Sequence, residues 1–243
     1  LSASGVRADQ AVLPGGYELV GGGLTFNGHL STSPRTFQWL IHSDQLTSFV
    51  GHDLTGIAFR ASNGSTTSWP TAAADATSYD IRLSEGVAPA SRNLASFAAN
   101  VVGSQTLVRS GPLHVDADSY SIGGPPHPFG PTIAFDPWHY AGGHLLIELR
   151  STGFSGTSRS VDAVGTAAST GYGTQFSAMW NGSYTAAAGG SQGNFVVFRL
   201  TSTPGGAGGC NLADISEVGG TSEAPGTPDD QLTVDDIIVF VNL

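Results

Sequence analysis

The chain has 243 residues, 34 of them glycine, with 40% hydrophobic residues, only 12% charged residues and a formal net charge of −10. This much apolar content with so little charge excludes a disordered chain, and the acidic balance excludes a basic nucleic-acid-binding surface. All basic residues are arginine, so no lysine–asparagine isopeptide bond can form within the chain, and no apolar run reaches the length of a membrane span.

Residues 1–15 carry weak structural signals and are taken as an N-terminal arm. From there, short β-branched and aromatic runs recur between turn residues. Strands are expected near 16–20 (GYELV), 24–28 (LTFNG), 35–42 (RTFQWLIH), 54–62 (LTGIAFRAS) and 77–84 (TSYDIRLS). Further ones are expected near 105–111, 132–136, 144–152, 172–180 and 194–202. Alternation assigns faces. Tyr79, Ile81 and Leu83 share one face, with Asp80 and Arg82 on the other; Leu145, Ile147 and Leu149 oppose Glu148 and Arg150. Val196, Phe198 and Leu200 form the expected core face of the last strand. Residues 91–102 fit a short helix or a loop-covered strand.

The pattern predicts an all-β fold, a two-sheet β-sandwich of jelly-roll type over residues 16–200. A Gly-rich linker is expected at 201–209. It leads to an acidic appendage over 210–243, read as a short calcium loop followed by a helix.

From Cys210 onward the chain carries Asp214, Glu217, Glu223, Asp229, Asp230, Asp235 and Asp236, and no basic residue. Calcium takes six to eight oxygen ligands, which a tight acidic loop can supply. In DDQLTVDD, Asp229 offers a side-chain oxygen, Gln231 a backbone carbonyl and Thr233 a hydroxyl. Asp236 would follow on the first turn of a helix, and Asp214 is a further candidate ligand. The same residues also fit a helix N-capped by Thr233 or Asp235, with solvated acids. Cys210 stands alone, which rules out a disulfide within the chain.

The tail resembles the first repeat of the GC-type dockerin family, modules found at the C-termini of exported bacterial proteins. The matched residues are Gly209-Cys210, Ala213-Asp214-Ile215, Gly219-Gly220, Gln231-Leu232-Thr233 and Asp235-Asp236-Ile237-Ile238. The resemblance implies calcium at Asp229, Gln231, Thr233 and Asp236. It departs from the family at Asp230, where a glycine is usual, and no second repeat with its closing cysteine follows. Residues from about 33 to 155, including SPRTFQWLIHSDQL and FDPWHYAGGHLLIELR, are similar to a group of secreted bacterial β-sandwich proteins. That similarity implies export and fold, and no chemistry.

The segment Ile237, Ile238, Val239, Phe240, Val241 and Leu243 would leave a sizeable apolar patch if nothing packed on it. The sandwich or another subunit is expected to cover it, and an extended form would add as a strand to a neighbouring sheet. The N-terminal arm is the second expected contact. The histidines lack a metalloprotease-type pair, and for His139 and His144 a turn with aromatic packing is a better reading than zinc. No paired carboxylates mark catalysis. Trp69, Trp138, Tyr140 and Trp180 are candidates for a sugar-stacking platform.

These readings converge on a non-catalytic extracellular or cell-surface protein, a calcium-binding subunit of a fibre or array that assembles with copies of itself. The alternative is a secreted carbohydrate-binding or adhesion module, attached by its tail to a scaffold protein or bound to polysaccharide.

Overall fold

The structure, a computed structural model, describes residues 9–205. The acidic appendage, with the expected ligands Asp214, Asp229, Gln231, Thr233 and Asp236 and the contact segment 237–243, lies outside the described residues.

Among the described residues, fifteen strands account for the regular structure, joined by loops and three-residue 3-10 turns. In chain order they are β1 (Asp9–Leu13), β2 (Gly23–Leu30), β3 (Arg35–Ile41), β4 (His52–Phe59), β5 (Ala74–Ala76), β6 (Tyr79–Gly86), β7 (Val101–Arg109) and β8 (Leu113–Val115). There follow β9 (Ile133–Tyr140), β10 (Leu145–Ser151), β11 (Arg159–Val164), β12 (Phe176–Asn181), β13 (Ser191–Gln192), β14 (Phe195–Val196) and β15 (Phe198–Pro204).

The main sheet has six strands in the order β13-β12-β3-β10-β6-β7, and a second has four in the order β1-β15-β4-β9. Strands β14-β11-β2 form a smaller sheet, and β5 and β8 form a ribbon. The antiparallel pairs β2–β11, β3–β10, β4–β9 and β6–β7 are nested, first strand with last and inward from there. This is the pairing of a long hairpin rolled over itself, so the all-β jelly-roll sandwich expected from the sequence is the observed fold.

The core lies between the two large sheets. Phe37, Trp39 and Ile41 from β3, Ile81 and Leu83 from β6, and Ile147 and Leu149 from β10 face Leu54, Ile57 and Phe59 of β4 and Phe198 and Leu200 of β15. Trp39 stacks on Phe59 at 6.0 Å and meets Phe198 edge-on at 5.4 Å. Alternate residues reach this core because successive side chains of a strand point to opposite faces.

Several local expectations differ from the fold. Residues 16–20 form a loop, not a strand, because the carbonyls of Tyr17, Glu18 and Val20 bond to the buried Arg60 guanidinium instead of to a ladder. Residues 9–13 of the expected arm pair with β15 in the same chain, Ala11 opposite Leu200. Thr201–Pro204, placed in the linker by composition, continue β15 against β4, with Pro204 opposite His52. The run 194–202 is two strands. Val196 pairs with Ala163 of β11, Phe198 with Phe59 of β4, and both faces are buried because the chain passes from one sheet to the other at Val197. Residues 91–102 form neither one helix nor one covered strand: the 3-10 turns Pro89–Ser91 and Ala98–Asn100 flank a loop, and β7 begins at Val101.

Candidate functional site

The face of the six-stranded sheet turned away from the core is not a plain solvent face. Strand register places its outward residues in rows. Met179, Gln38, Glu148 and Arg82 lie opposite one another across β12, β3, β10 and β6. The next row is Asn181, Thr36, Arg150 and Asp80. Glu148 therefore neighbours Arg82 across the strand pair, and Arg150 neighbours Asp80, a checkerboard of opposite charges.

Two loops fold over part of this face. Gly190 N–H donates to Leu94 O at 2.8 Å, Gly189 N–H to Ala95 O at 3.0 Å and Phe97 N–H to Ala187 O at 3.3 Å. Leu94, Phe97, Met179 and Ala186 form a small apolar cluster beneath them, separate from the main core. This cover explains why Glu148, Gln38 and Asn100 are buried although all three are polar.

Burial without partners would be costly, and here the partners are present. Glu148 Oε2 accepts from Gln38 Nε2 at 2.8 Å, and Oε1 accepts from Arg150 Nε at 2.7 Å. Gln38 Oε1 accepts from Asn100 Nδ2 at 3.0 Å, and Asn100 Oδ1 accepts the Asn93 N–H at 2.7 Å. Asp80 accepts the Gly111 N–H at 3.2 Å and the Tyr184 hydroxyl at 2.5 Å. That bond to a carboxylate, aided by partial burial, holds the Tyr184 phenol above its ordinary pKa. Both carboxylates are thus engaged on both oxygens by hydrogen-bond donors.

Beside the cover an open cleft of about 420 Å³ remains, lined by Phe97, Ala98, Val101, Gly103, Gln105, Glu148, Arg150 and Ala187. Two donors around it make no hydrogen bond although their atoms are buried, Gln105 Nε2 and Arg82 Nη1. Arg82 Nη1 lies 3.7 Å from Glu148 Oε1, beyond hydrogen-bond distance.

The candidate sugar platform does not come together. Trp69 and Tyr140 are 1% exposed and present no face to a ligand. Trp69 Nε1 donates to Thr157 O at 2.7 Å, and the Tyr140 hydroxyl bonds to Gly143 O, burial pushing its pKa up to about 12. Trp138 is half-buried on β9 next to Tyr140. Trp180 is half-buried on β12, with the Arg35 guanidinium 4.7 Å from its ring. Trp69 thus lies in a loop, Trp138 and Tyr140 on β9 and Trp180 on β12 of the other large sheet. His139 pairs with Asp53 at 2.9 Å, whereas His144 packs against His42 with ring centres 4.5 Å apart, so they are not joint ligands. Among the described residues, no group of three or more His, Cys, Asp or Glu is arranged to hold a metal.

Sequence reasoning put Glu148, Arg150 and Arg82 on the right face and expected that face to be open. A signal of the cover was present in the same strands: Leu40, Leu146 and Met179 share the outward face and are fully buried. Comparison of the chain with protein-family models, with curated proteins and with solved structures gives no match in any of the three.

Proposed function

We propose that the chain is a non-catalytic extracellular structural subunit that associates with copies of itself. The observation that supports this reading is the edge formed by β7, which among the described residues pairs on one side only, with β6. It is nine residues long, ends the six-stranded sheet and exposes Val102 and Leu107 to solvent. Its sequence VVGSQTLVR contains no proline or acidic residue, and its single charge, Arg109, folds back onto the carbonyls of Gly111 and Pro112. Edge strands pair with further strands unless something blunts them, and β7 is blunted only by two register shifts against β6. A strand from a second copy would satisfy its backbone and cover its apolar side chains.

The sequence adds two supports. The tail's likeness to a dockerin repeat favours export and a calcium-stiffened joint, and the β-prone run 237–243 is a candidate strand for such pairing. The non-catalytic part of the reading is supported by Glu148 and Asp80, whose oxygens are each engaged by a hydrogen-bond donor within the fold.

The test is negative-stain electron microscopy and light scattering of the purified chain, with calcium and after chelation. Ordered particles are expected, and a V102K/L107K variant should remain dispersed. A wild-type chain that stays monomeric in both conditions overturns the reading.

A further inference from the structure

We propose that the cleft over Glu148 and Arg150 is a binding site for a neutral sugar, a single residue or the end of an oligosaccharide. The inference does not depend on self-association.

The volume, about 420 Å³, falls in the usual range of small-molecule sites, roughly 300–1,000 Å³. Its chemistry narrows the occupant. The floor holds a buried carboxylate, Glu148, next to the guanidinium of Arg150, with Arg82 on the adjoining strand. Glu148 and the nearby Asp80 disfavour an anion, and Arg82 and Arg150 disfavour a cation. A sugar hydroxyl both donates and accepts, so it can bond to either member of such an alternating array. Gln105 Nε2 is a buried donor without an acceptor, a state that costs free energy until something supplies one, and Arg82 Nη1 makes no hydrogen bond, its one partner being the Glu148 charge 3.7 Å away. Gln105 itself lines the cleft. The remaining walls, Ala98, Val101 and Ala187, offer small apolar surfaces against which the C–H face of a pyranose can lie.

The framework is preorganised. Gln38 ties Glu148 to Phe97 O at 3.0 Å and to Asn100, so the floor and the cover loop are one hydrogen-bonded unit. A ligand would find the charged groups already oriented, which lowers the cost of binding.

Isothermal titration calorimetry on the whole chain tests this with glucose, galactose, mannose, N-acetylglucosamine, cellobiose and maltose, and with glucuronate and glucosamine as charged counterparts. At least one neutral sugar should bind and outcompete its charged counterpart. A98W, which fills the cleft from an exposed position, should abolish binding, and Q105A should weaken it by about tenfold. W138A, away from the cleft, should leave it unchanged. Unfolding midpoints of the variants report that the sandwich is intact, and if A98W does not fold, Q105A decides. Failure of every neutral sugar to bind, preference for a charged one, or binding that survives both cleft substitutions overturns the proposal.

Discussion

Arg60 and Asp162 form an ion pair in which both side chains are 1% exposed, Arg60 Nη2 standing 2.7 Å from Asp162 Oδ2. The guanidinium also donates to the carbonyls of Tyr17, Glu18 and Val20, and the carboxylate accepts the Gly22 N–H at 3.0 Å. One buried pair thereby fixes the loop between β1 and β2. Gly22 has to be glycine here, because a Cβ would stand 2.4 Å from Ala163 O.

Breaking a buried ion pair from one side leaves an uncompensated charge, at a cost of about 3–5 kcal/mol. D162N and R60M are both expected to destabilise the sandwich by that order, read from urea unfolding. The double variant R60M/D162L should not recover full stability, since the three loop carbonyls would still lack their donor. It should also be cut by proteases between residues 15 and 22 faster than the wild type.

His29 gives a pH dependence of known sign. It is fully buried against Phe37, Trp39 and Phe59, and neither ring nitrogen makes a hydrogen bond. Burial, with the positive charge of Arg35 in addition, holds its pKa well below 6.5. The neutral ring is favoured in the fold, so its contribution is complete above the unfolded pKa. It is lost as pH falls below about 6.5 toward the lowered folded value. Urea midpoints measured from pH 7 to 4 should fall, and H29F should flatten that slope.

His114 behaves in the opposite sense. Its Nδ1 lies 2.7 Å from Asp75, and its Nε2 lies 3.3 Å from Asp116. The bond to Asp75 is the larger cause of a pKa raised above 6.5. The charged form is favoured in the fold, so its contribution is present below 6.5 and fades as pH rises through the raised value. NMR titration of the imidazole should show that raised pKa, and D75N should lower it more than D116N does.

Gly153 has φ +94°, and a Cβ there would approach Thr32 O to 2.4 Å. Left-handed backbone and a backbone clash together make G153A destabilising by about 1–3 kcal/mol or more, measured by thermal or urea unfolding.

Calcium should matter to the tail and not to the sandwich. Calorimetry is expected to show calcium binding that D229N and D236N remove, while the unfolding transition of the sandwich is unmoved by chelation. A sandwich transition that shifts with calcium would place a metal site inside it.

How much of this was legible depended on how local the cause was. The inward faces of β6 and β10 followed from alternation alone, because Ile81, Leu83, Ile147 and Leu149 answer to a period of two. The loop at 16–20 was read as a strand because its apolar residues fit one, and the partner that captures its carbonyls, Arg60, is forty residues away in sequence. β11 was missed since Asp162 interrupts RSVDAV, and only the fold shows Asp162 answered by Arg60. The cleft needed two loops ninety residues apart to meet across β12, and no window along the chain contains both.

The place of β15 has a consequence for how the protein is made. It is the last strand of the sandwich in sequence, yet it lies inside its sheet between β1 and β4. A growing chain emerges N-terminus first, so β1 and β4 must wait, unjoined, until residues 198–204 arrive to fill the gap between them. Such distant pairings close slowly. The sheet is therefore completed only once residues 198–204 have emerged, and a product stopped before Phe198 would carry two open strand edges in place of a finished wall.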